Sequence, residues 1–331
     1  MKLFKCHFCG QTAVTDGNSF FCFSCGMGGD RVSCRRALDK IPYKEAAKKQ
    51  NVHLLPEENR WEEKKNVLNA LSEAEWFFST RRNTAKTSYL ENRKIKKETI
   101  KNFSLGYSRG GKELYEFLLK KGYDEKILKE AGLIYVNTET GKISDKFWDR
   151  LMFPIWDENG HVIGFGGRVF GDGKPKYLNS PESIVFDKSH NLYAMHMAKE
   201  SIEDFFILAE GYIDVISLHQ NGFTNAIASL GTSFTYGHAK LISKYKKSVC
   251  VVPDNDEPGQ IAAAKTISIL LKNGISVKVA SVAPYKDVDE LLVAEGPDAL
   301  KKRIETAITG EQFLIKGKTA KEIAAFIFTN C

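Results

Sequence analysis

Apolar residues fall at helical spacing in the early part of the chain and in short continuous runs later. Between positions 57 and 81 they recur every three or four residues, which predicts a helix. Its apolar positions are Val67, Leu68, Leu71, Ala74, Phe77 and Phe78. Residues 88–132 repeat this spacing in shorter pieces separated by glycines, which predicts several short helices. Pro56 precedes the first helix and marks a hinge, because proline stops one element and is tolerated at the start of the next.

A change of pattern near residue 147 predicts a β-hairpin. Apolar runs at 151–156 and 161–165 flank Asp157-Glu158-Asn159-Gly160. Asn-Gly between two such runs is a strong hairpin signal, since both residues accept the positive φ of the turn.

From residue 205 onward, predicted strands alternate with predicted helices. The predicted strands are 205–209, 226–229, 249–252 and 277–282. The predicted helices between them are 212–220, 236–245 and 258–272. This alternation indicates a parallel sheet with helices on its faces, and such sheets bind ligands at the carboxyl ends of their strands.

Composition places the chain among globular proteins. It has 331 residues, of which 43% are hydrophobic and 27% charged, and at roughly 100–200 residues per domain this length predicts two or three domains. No apolar run approaches the about 18 residues that a spanning helix needs, so no membrane partner is expected. The N-terminus lacks the apolar core of a signal peptide, and a cytoplasmic location is expected.

Charge is distributed unevenly along the chain. The formal net charge is +7, with +9 over residues 1–150 and −5 over residues 151–300. A basic front half suits a polyanionic partner such as nucleic acid. The acidic back half requires a different explanation.

Four of the seven cysteines form two CxxC pairs. They are Cys6, Cys9, Cys22 and Cys25. Two such pairs supply the four thiolates of a tetrahedral zinc. The alternative of two disulfides is disfavoured by the odd cysteine count and the absent secretion signal. A small zinc ribbon of basic character suits nucleic acid, and a purely structural or protein-binding ribbon is an equal alternative.

Carboxylates follow three of the predicted strands. They are Glu210 with Asp214, then Asp254 and Asp256, then Asp287, Asp289 and Glu290. Acids brought to one edge of a sheet repel one another unless a cation lies between them, and oxygen ligands suit Mg²⁺ or Mn²⁺. The alternative is that each acid is a turn residue or a helix N-cap.

Basic and polar residues gather upstream of this sheet. Candidate contacts to phosphate are Arg93, Arg150, Arg168, Lys176, Asn179 and Lys188. Arginine forks and lysine charges suit phosphates, whereas a basic residue taken alone is in most cases a solvated surface charge. The Pro- and Gly-rich setting of 171–182 predicts an exposed working loop.

Several strings resemble the DnaG-type DNA primases, which join a zinc ribbon to a TOPRIM polymerase domain. The most specific are 150–155 (RLMFPI), 164–168 (GFGGR) and 175–182 (PKYLNSPE), together with 89–93 (YLENR). Glu210-Gly211-Tyr212-Ile213-Asp214, Asp254-Asn255-Asp256 and Asp287-Val288-Asp289-Glu290 resemble TOPRIM metal motifs. TOPRIM domains also occur in topoisomerases, recombination mediators and nucleases, so the 175–182 string is what narrows the resemblance to primases.

The resemblance implies a function and a set of roles. The fold would be mixed α/β, with a zinc ribbon, a helical and mixed N-terminal polymerase subdomain, a TOPRIM parallel sheet and a short C-terminal helical tail. The enzyme would be a nucleotidyltransferase, a DNA-directed RNA polymerase that makes RNA primers on single-stranded DNA from ribonucleoside triphosphates. Glu210, Asp254 and Asp256 would hold two or more Mg²⁺ ions, with Mn²⁺ as a substitute, helped by Asp214, Asp287 and Asp289. The six basic and polar candidates would bind template or nucleotide, and the four cysteines would hold one structural zinc. A non-catalytic DNA-binding recombination mediator and a Mg²⁺-dependent nuclease are the alternatives.

The implied domain boundaries are 1–52 for the ribbon, 53–66 for a linker, 67–203 for the N-terminal polymerase subdomain, 204–294 for TOPRIM and 295–331 for a C-terminal helical segment. The chain departs from the family at Cys9, where a histidine is usual, and at Asn255 and Val288, where glycine and proline are usual. It ends soon after the TOPRIM segment. This length resembles the stand-alone primases of phages or mobile elements, which implies a replicative helicase acting in trans.

Overall fold

A computed structural model describes residues 2–5, 12–15, 20–22, 28–29, 57–81, 89–171, 173–231 and 233–316. Its first part is a four-stranded antiparallel sheet in the order β1-β2-β3-β4. These strands are β1 (Lys2–Lys5), β2 (Thr12–Thr15), β3 (Phe20–Cys22) and β4 (Gly28–Gly29). Cys6, Cys9 and Cys25 lie outside the described residues, as does the side chain of Cys22. Zinc binding therefore stays a prediction.

The predicted long helix is α1 (Glu57–Thr80). Its inward face places Val67, Leu71 and Phe78 in one apolar cluster, which accounts for the helical spacing of the sequence. The helix begins inside the segment predicted as linker 53–66, so at least ten of those residues belong to a regular element.

Short helices follow, as the glycine-punctuated pattern predicts. They are a helical turn at 89–92, α2 (Lys97–Asn102), α3 (Glu113–Lys120) and α4 (Glu125–Glu130). A small antiparallel pair of strands comes next, β6 (Ile134–Val136) and β7 (Ile143–Asp145).

The predicted hairpin forms the centre of a second antiparallel sheet, ordered β10-β9-β8-β5. Its strands are β5 (Gly106–Ser108), β8 (Arg150–Trp156), β9 (Val162–Val169) and β10 (Tyr177–Asn179). The sequence pattern did not predict β5, because its partner residues in β8 lie more than forty positions away. Gly106 is required there, since a Cβ would lie 2.3 Å from the backbone carbonyl carbon of Phe78 in α1.

The predicted parallel sheet is confirmed, with strand order β12-β11-β13-β14-β15. Its strands are β11 (Phe205–Ala209), β12 (Ala226–Ala228), β13 (Ser248–Val251), β14 (Ser276–Val279) and β15 (Ile308–Thr309). The first four are parallel, and β15 joins the edge in the antiparallel sense. The sequence pattern did not indicate this last strand, which has two residues, both exposed.

Helices cover both faces of the parallel sheet. They are α5 (Met195–Ala198), α6 (Tyr212–Gln220), α7 (Tyr236–Tyr245), α8 (Glu257–Lys272), α9 (Val288–Glu295), α10 (Pro297–Glu305) and α11 (Gly310–Ile315). One core, containing Ile207 and Cys250, lies on one face and extends to Phe153 of the antiparallel sheet. The other, containing Leu208, Val251 and Ile267, lies on the opposite face. No helix within the described ranges combines the length and the apolar character needed to cross a membrane.

Candidate functional site

The carboxyl edge of the parallel sheet carries the predicted acids. Glu210 follows the last residue of β11, and Asp254 lies three positions beyond the end of β13. The two are in direct contact, because the Asp254 backbone N–H donates to Glu210 Oε1 at 3.0 Å. Neighbouring parallel strands end at the same edge of a sheet, and this is why residues 44 positions apart meet.

The acids at this edge perturb one another. Burial raises the pKa of Asp254 to about 7, and the charges of Glu210, Asp287 and Asp256 add to the rise. Burial also raises the pKa of Glu210, with a further contribution from Asp256. The raised pKa values show that ionising these carboxyls together is unfavourable, because their negative charges repel one another. A bound cation would relieve that repulsion.

Asp214 belongs to the same cluster. Its pKa is raised well above the ordinary value by burial and by the charges of Asp287, Asp254 and Asp289. Its Oδ2 accepts a hydrogen bond from the Gly211 backbone N–H at 3.0 Å at the start of α6. Asp214 therefore stabilises a helix start and adds a further carboxyl group to the site.

Two further acids are helix N-caps, which was the alternative considered for them. Asp256 Oδ1 accepts from the Gly259 N–H at 2.8 Å, and Asp287 Oδ1 accepts from the Glu290 N–H at 2.9 Å. N-capping and metal binding are compatible roles, because a capping carboxylate uses one oxygen for the helix and keeps lone pairs for another ligand. The strand-to-helix connections that place the acids at the edge also create these caps.

The donor set fits a hard divalent cation. It consists of carboxylate oxygens only, which Mg²⁺ and Mn²⁺ prefer over softer ligands. Gly259 keeps space beside them, since a Cβ there would lie 2.8 Å from Glu210 Oε1 and 2.8 Å from the Asp254 carbonyl oxygen. Within the described ranges, no three His, Cys, Asp or Glu side chains converge closely enough to coordinate one ion. Binding would therefore require these carboxylates to close around the cation.

A cavity of about 1090 Å³ opens next to Glu210. It runs between the ends of β11, β12 and β13 and the outer side of α8. Ser229, Gly231, Pro253 and Ile261 are among the residues that line it. Glu210 therefore borders a space large enough for a small substrate.

Arg93 reaches the acid cluster from the N-terminal half of the chain. Its Nη1 donates to Asp289 Oδ2 at 2.5 Å, and the Asp289 side chain is only 3% exposed. Burial raises the pKa of Asp289, and the Arg93 charge opposes that rise. Arg93 therefore lies at the acid cluster, with its guanidinium group paired to the Asp289 carboxylate.

The guanidinium groups of Arg168 and Arg93 both lie over the ring of Tyr89. The Arg168 guanidinium carbon is 3.8 Å from the centre of the Tyr89 ring, and that of Arg93 is 5.6 Å away. Arg168 Nε is buried without a hydrogen-bond partner among the described residues. Sequence reasoning missed Tyr89 as a functional candidate, although its spacing of four from Arg93 on a helical turn is a usable signal.

Arg150 is only 6% exposed and is bonded within the protein. Its Nη1 donates to the Gly167 carbonyl at 2.9 Å and the Pro175 carbonyl at 3.0 Å. These contacts tie the loop before β10 to the hairpin. Arg150 shapes the surface that carries Lys176, and its own contact with phosphate stays a prediction.

Asn179 is likewise bonded at both ends of its amide. Nδ2 donates to the Leu230 carbonyl at 2.6 Å, and Oδ1 accepts from the Tyr212 hydroxyl at 2.8 Å. Tyr212, which sequence reasoning also missed, stacks on Phe153 with ring centres 5.0 Å apart. Asn179 therefore joins the antiparallel sheet to the parallel one.

Lys176 and Lys188 keep their side chains accessible. Lys176 is exposed at the start of β10, and Lys188 is half-buried on the loop before α5. The backbone N–H of Lys188 is bonded to the Glu182 carboxylate, at 3.2 and 3.3 Å from its two oxygens. Of the six predicted phosphate contacts, Lys176 has the most exposed side chain, and the ammonium group of Lys188 lies over the Phe186 ring, 6.0 Å from the ring centre.

Family comparisons divide the chain as the fold does. Residues 75–199 match the family described as the DNA primase catalytic core, N-terminal domain. Residues 207–292 match a family described as Toprim-like. All the predicted acids, from Glu210 to Glu290, lie in the second match, and the six basic and polar candidates lie in the first.

Curated relatives named DNA primase resemble nearly the whole chain. That of Clostridium acetobutylicum is 36% identical over 307 residues, covering 89% of this chain and 51% of the relative. That of Pseudomonas aeruginosa is 36% identical over 318 residues, covering 88% of this chain and 47% of the relative. The chain thus spans about half the length of these relatives.

Solved structures resemble it as well. A DNA primase domain from Pseudomonas aeruginosa is 37% identical with a TM-score of 0.70, covering 76% of this chain and 82% of that one. The Aquifex aeolicus primase, described as its zinc-binding and RNA polymerase domains, is 31% identical with a TM-score of 0.73, covering 99% and 83%. A DnaG primase catalytic domain bound to single-stranded DNA is 32% identical with a TM-score of 0.69, covering 77% and 85%.

Proposed function

This chain belongs to the DnaG-type DNA primase family, and from that premise we propose that it synthesises short RNA primers on single-stranded DNA. The observation that carries the proposal is the contact between Glu210 and Asp254, with Asp287 close by, at one edge of a parallel sheet. Such an edge, joined to a primase-like N-terminal core, suits transfer of a nucleotidyl group.

The proposed reaction joins ribonucleotides in the order set by the template. The 3′ hydroxyl of one nucleotide attacks the α-phosphorus of the next triphosphate, a new P–O bond forms, and the bond to the β-phosphate breaks to release pyrophosphate. The hydroxyl proton passes to solvent. Two Mg²⁺ ions, or Mn²⁺ in their place, would stabilise the attacking and leaving oxygens.

The residues of this chain would hold and orient the reactants. Glu210, Asp254 and Asp256 would be the principal metal ligands, with support from Asp214, Asp287 and Asp289. Lys176 and Lys188 would contact phosphates of nucleotide or template directly, and Arg93 and Arg168 would do so from beside the Tyr89 ring. Arg150 and Asn179 would act by fixing the loops that carry these groups.

One structural zinc, held by Cys6, Cys9, Cys22 and Cys25, completes the proposal. The CxxC spacing supports it, and the Aquifex aeolicus relative is described as containing a zinc-binding domain. Metal analysis of purified protein should give one zinc per chain, and Cys22→Ser should lower that content. A replicative helicase is the proposed partner in trans.

A primer-synthesis assay tests the function. Labelled ribonucleoside triphosphates, Mg²⁺ and single-stranded templates of mixed sequence should give short RNAs, and Asp254→Ala should abolish them. Glu257→Gln is the matched control, because Glu257 is an exposed acid in the first turn of α8 outside the predicted ligand set. Degradation of the template would instead indicate a nuclease. DNA binding that survives loss of the acids, without incorporation in either metal, would indicate a recombination mediator.

A further inference from the structure

The loop that carries Lys188 is anchored to the start of α7. His238 Nε2 bonds to the Lys188 carbonyl oxygen at 2.7 Å, and the Thr235 hydroxyl donates to the Ser189 carbonyl at 2.5 Å. Two consecutive carbonyls of the loop are thus held from a single helix start. The contacts cross from the segment that matches the primase core to the Toprim-like segment.

Its bonding partners fix the tautomer of His238. The ring is fully buried, and its Nδ1 accepts from the Thr235 backbone N–H at 3.1 Å. A backbone N–H can only donate and a carbonyl oxygen can only accept, so the ring proton must reside on Nε2. Burial lowers the pKa of His238 to about 4. Near neutral pH the ring is therefore uncharged and donates to Lys188.

Gly237 allows the two segments to approach this closely. A Cβ at this position would lie 2.4 Å from the Ser189 carbonyl oxygen and 2.7 Å from Cδ2 of the His190 ring. Because the first contact is with backbone, no rotation of a side chain would relieve it. The close approach leaves the His238 ring within hydrogen-bond distance of the loop.

Lys188 is consequently held along its backbone, while its ammonium group lies over the Phe186 ring, 6.0 Å from the ring centre. Its N–H is bonded to Glu182 and its carbonyl to His238. The helix that carries His238 packs through Ala239 and Ile242 into the same core as Leu208 and Val251 of the parallel sheet. The position of Lys188 is thereby set relative to the strands that end at the acid cluster.

We propose that His238 is a positioning residue for Lys188, holding the lysine where its ammonium group meets a phosphate of nucleotide or template. The proposal rests on the proposed function, in which Lys188 makes that contact. The bond from Nε2 to the Lys188 carbonyl is the feature that performs this task. The same ring has a second, separate role, because its Nδ1 caps the start of α7.

Two substitutions at position 238 distinguish the bond to the Lys188 carbonyl from the capping of α7. His238→Gln keeps both, because a glutamine at this capping-box position can accept from Thr235 through its oxygen and donate through its nitrogen. His238→Glu keeps the cap, but once its carboxylate is ionised it has no proton to donate to the Lys188 carbonyl and its charge repels that oxygen. Because burial raises the pKa of a carboxyl, the comparison is run from about pH 7 to about pH 9, and the loss in the glutamate variant should grow as its carboxylate ionises. The glutamine variant should therefore keep the binding of nucleotide or template that the glutamate variant loses.

Steady-state primer synthesis is the first measurement. We expect His238→Glu to raise the KM for nucleotide or for template by about tenfold with kcat changed less than about threefold, as loss of binding without loss of chemistry requires. His238→Gln should stay within about threefold of the wild type in both. His219→Gln is the matched control, since His219, on α6, is half-buried and also bonds to a backbone carbonyl, that of Ala226 in β12 at 2.9 Å.

Binding measurements keep the inference testable apart from catalysis. Dissociation constants for Mg-ATP and for a fluorescein-labelled oligothymidylate are compared between wild type and variants, with thermal unfolding and hydrogen exchange of residues 183–195 followed in parallel. Weaker binding of at least one probe by the glutamate variant, restored by glutamine, supports the inference. Unchanged binding of both probes while exchange of the loop accelerates overturns it.

A wild-type protein that binds the probes but makes no primers would contradict the proposed function and leave this comparison intact. If the glutamate variant does not fold, His238→Phe, which removes both hydrogen bonds of the ring, replaces it. Thr235→Ala is then the control, because it removes the hydroxyl that caps α7 and binds Ser189 but leaves the His238 ring in place.

Discussion

Arg93 Nη1 and Asp289 Oδ2 lie 2.5 Å apart although 196 positions separate them in the chain. The pair joins the helical turn at 89–92 to the first turn of α9. Asp289 is almost fully buried beside Asp287 and Asp214, so its charge depends on the arginine. A phosphate that bound Arg93 would have to compete with this carboxylate.

Removing the arginine should leave a buried charge without a partner. We expect Arg93→Met to lower the free energy of unfolding by about 1–3 kcal/mol. Asp289→Asn should make the same arginine substitution less costly, because the uncompensated charge is gone. Urea unfolding of the four proteins in a double-mutant cycle measures this coupling.

Arg109→Met serves as the control for that cycle. Arg109 pairs with Glu113 at 3.5 Å on the surface, with side chains 77% and 42% exposed. An exposed pair contributes no more than about 1 kcal/mol. Strictly additive effects of the Arg93 and Asp289 substitutions would contradict a stabilising interaction between them.

Gly259→Ala should weaken metal binding without unfolding the protein. The new methyl group would lie 2.8 Å from Glu210 Oε1 and 2.8 Å from the Asp254 carbonyl, so the carboxylate must move. Alanine is a better helix former than glycine by about 1 kcal/mol, which offsets part of the strain. Mn²⁺ binding followed by electron paramagnetic resonance should show a dissociation constant raised by about tenfold or more.

Ser268→Ala tests whether any change in α8 has the same effect. The Ser268 hydroxyl donates only to the Ala264 carbonyl within the helix, and its loss should leave Mn²⁺ affinity unchanged. Equal Mn²⁺ affinity in Gly259→Ala and the wild type would argue against Glu210 as a ligand.

The sequence predicted the acid-bearing edge because the signal is local. Glu210 directly follows an apolar run and Asp254 follows another, and parallel topology brings such strand ends together. The strand bounds differ from the predicted ones by at most three residues, with β14 ending at Val279 where 282 was expected.

The sequence could not predict the hydrogen-bond partners of the basic and polar candidates. Arg150 is bonded to carbonyls that strand pairing brings to it, and Asn179 to a carbonyl 51 positions away. Residue type suggested phosphate contacts for both. Only the three-dimensional arrangement distinguishes a side chain used inside the fold from one, such as Lys176, that is left exposed.

The ion pair between Asp187 and His190 should appear in the pH dependence of stability. Bonds to His190 and Ser189 outweigh burial and lower the pKa of Asp187 to about 2, and the bond to Asp187 raises the pKa of His190. The contribution of Asp187 is complete above its ordinary pKa of 3.8 and is lost as pH falls toward 2. The contribution of His190 is complete below its ordinary pKa of 6.5 and is lost as pH rises through the raised value. Both are thus present between about pH 4 and pH 6.5.

Nuclear magnetic resonance titration of His190 checks this prediction. Asp187→Asn should lower the His190 pKa toward its ordinary value and reduce stability in that window by no more than about 1 kcal/mol, since both side chains are about half exposed. Asp204→Asn, which removes an exposed acid elsewhere, should leave the His190 titration unchanged. An unaltered His190 titration in Asp187→Asn would contradict the pairing.

Asn179 should behave as a structural joint rather than as a phosphate ligand. Asn179→Asp replaces the amide that donates to the Leu230 carbonyl with a carboxylate oxygen that repels it. We expect the free energy of unfolding to fall by about 1–3 kcal/mol, the usual cost of an unsatisfied buried group. Tyr212→Phe removes only the hydroxyl donated to Oδ1 and should cost about 0.5–1.5 kcal/mol.

Combining the two substitutions distinguishes the two roles of Asn179. If both act through the same joint, the double variant should lose less stability than the sum of the single variants. Asn159→Asp in the exposed hairpin turn is the matched control and should change stability by less than about 0.5 kcal/mol. A phosphate ligand would give the opposite result for Asn179→Asp: weaker binding of Mg-ATP or template at unchanged stability, because a surface amide replaced by a carboxylate would repel phosphate and disturb nothing inside the fold.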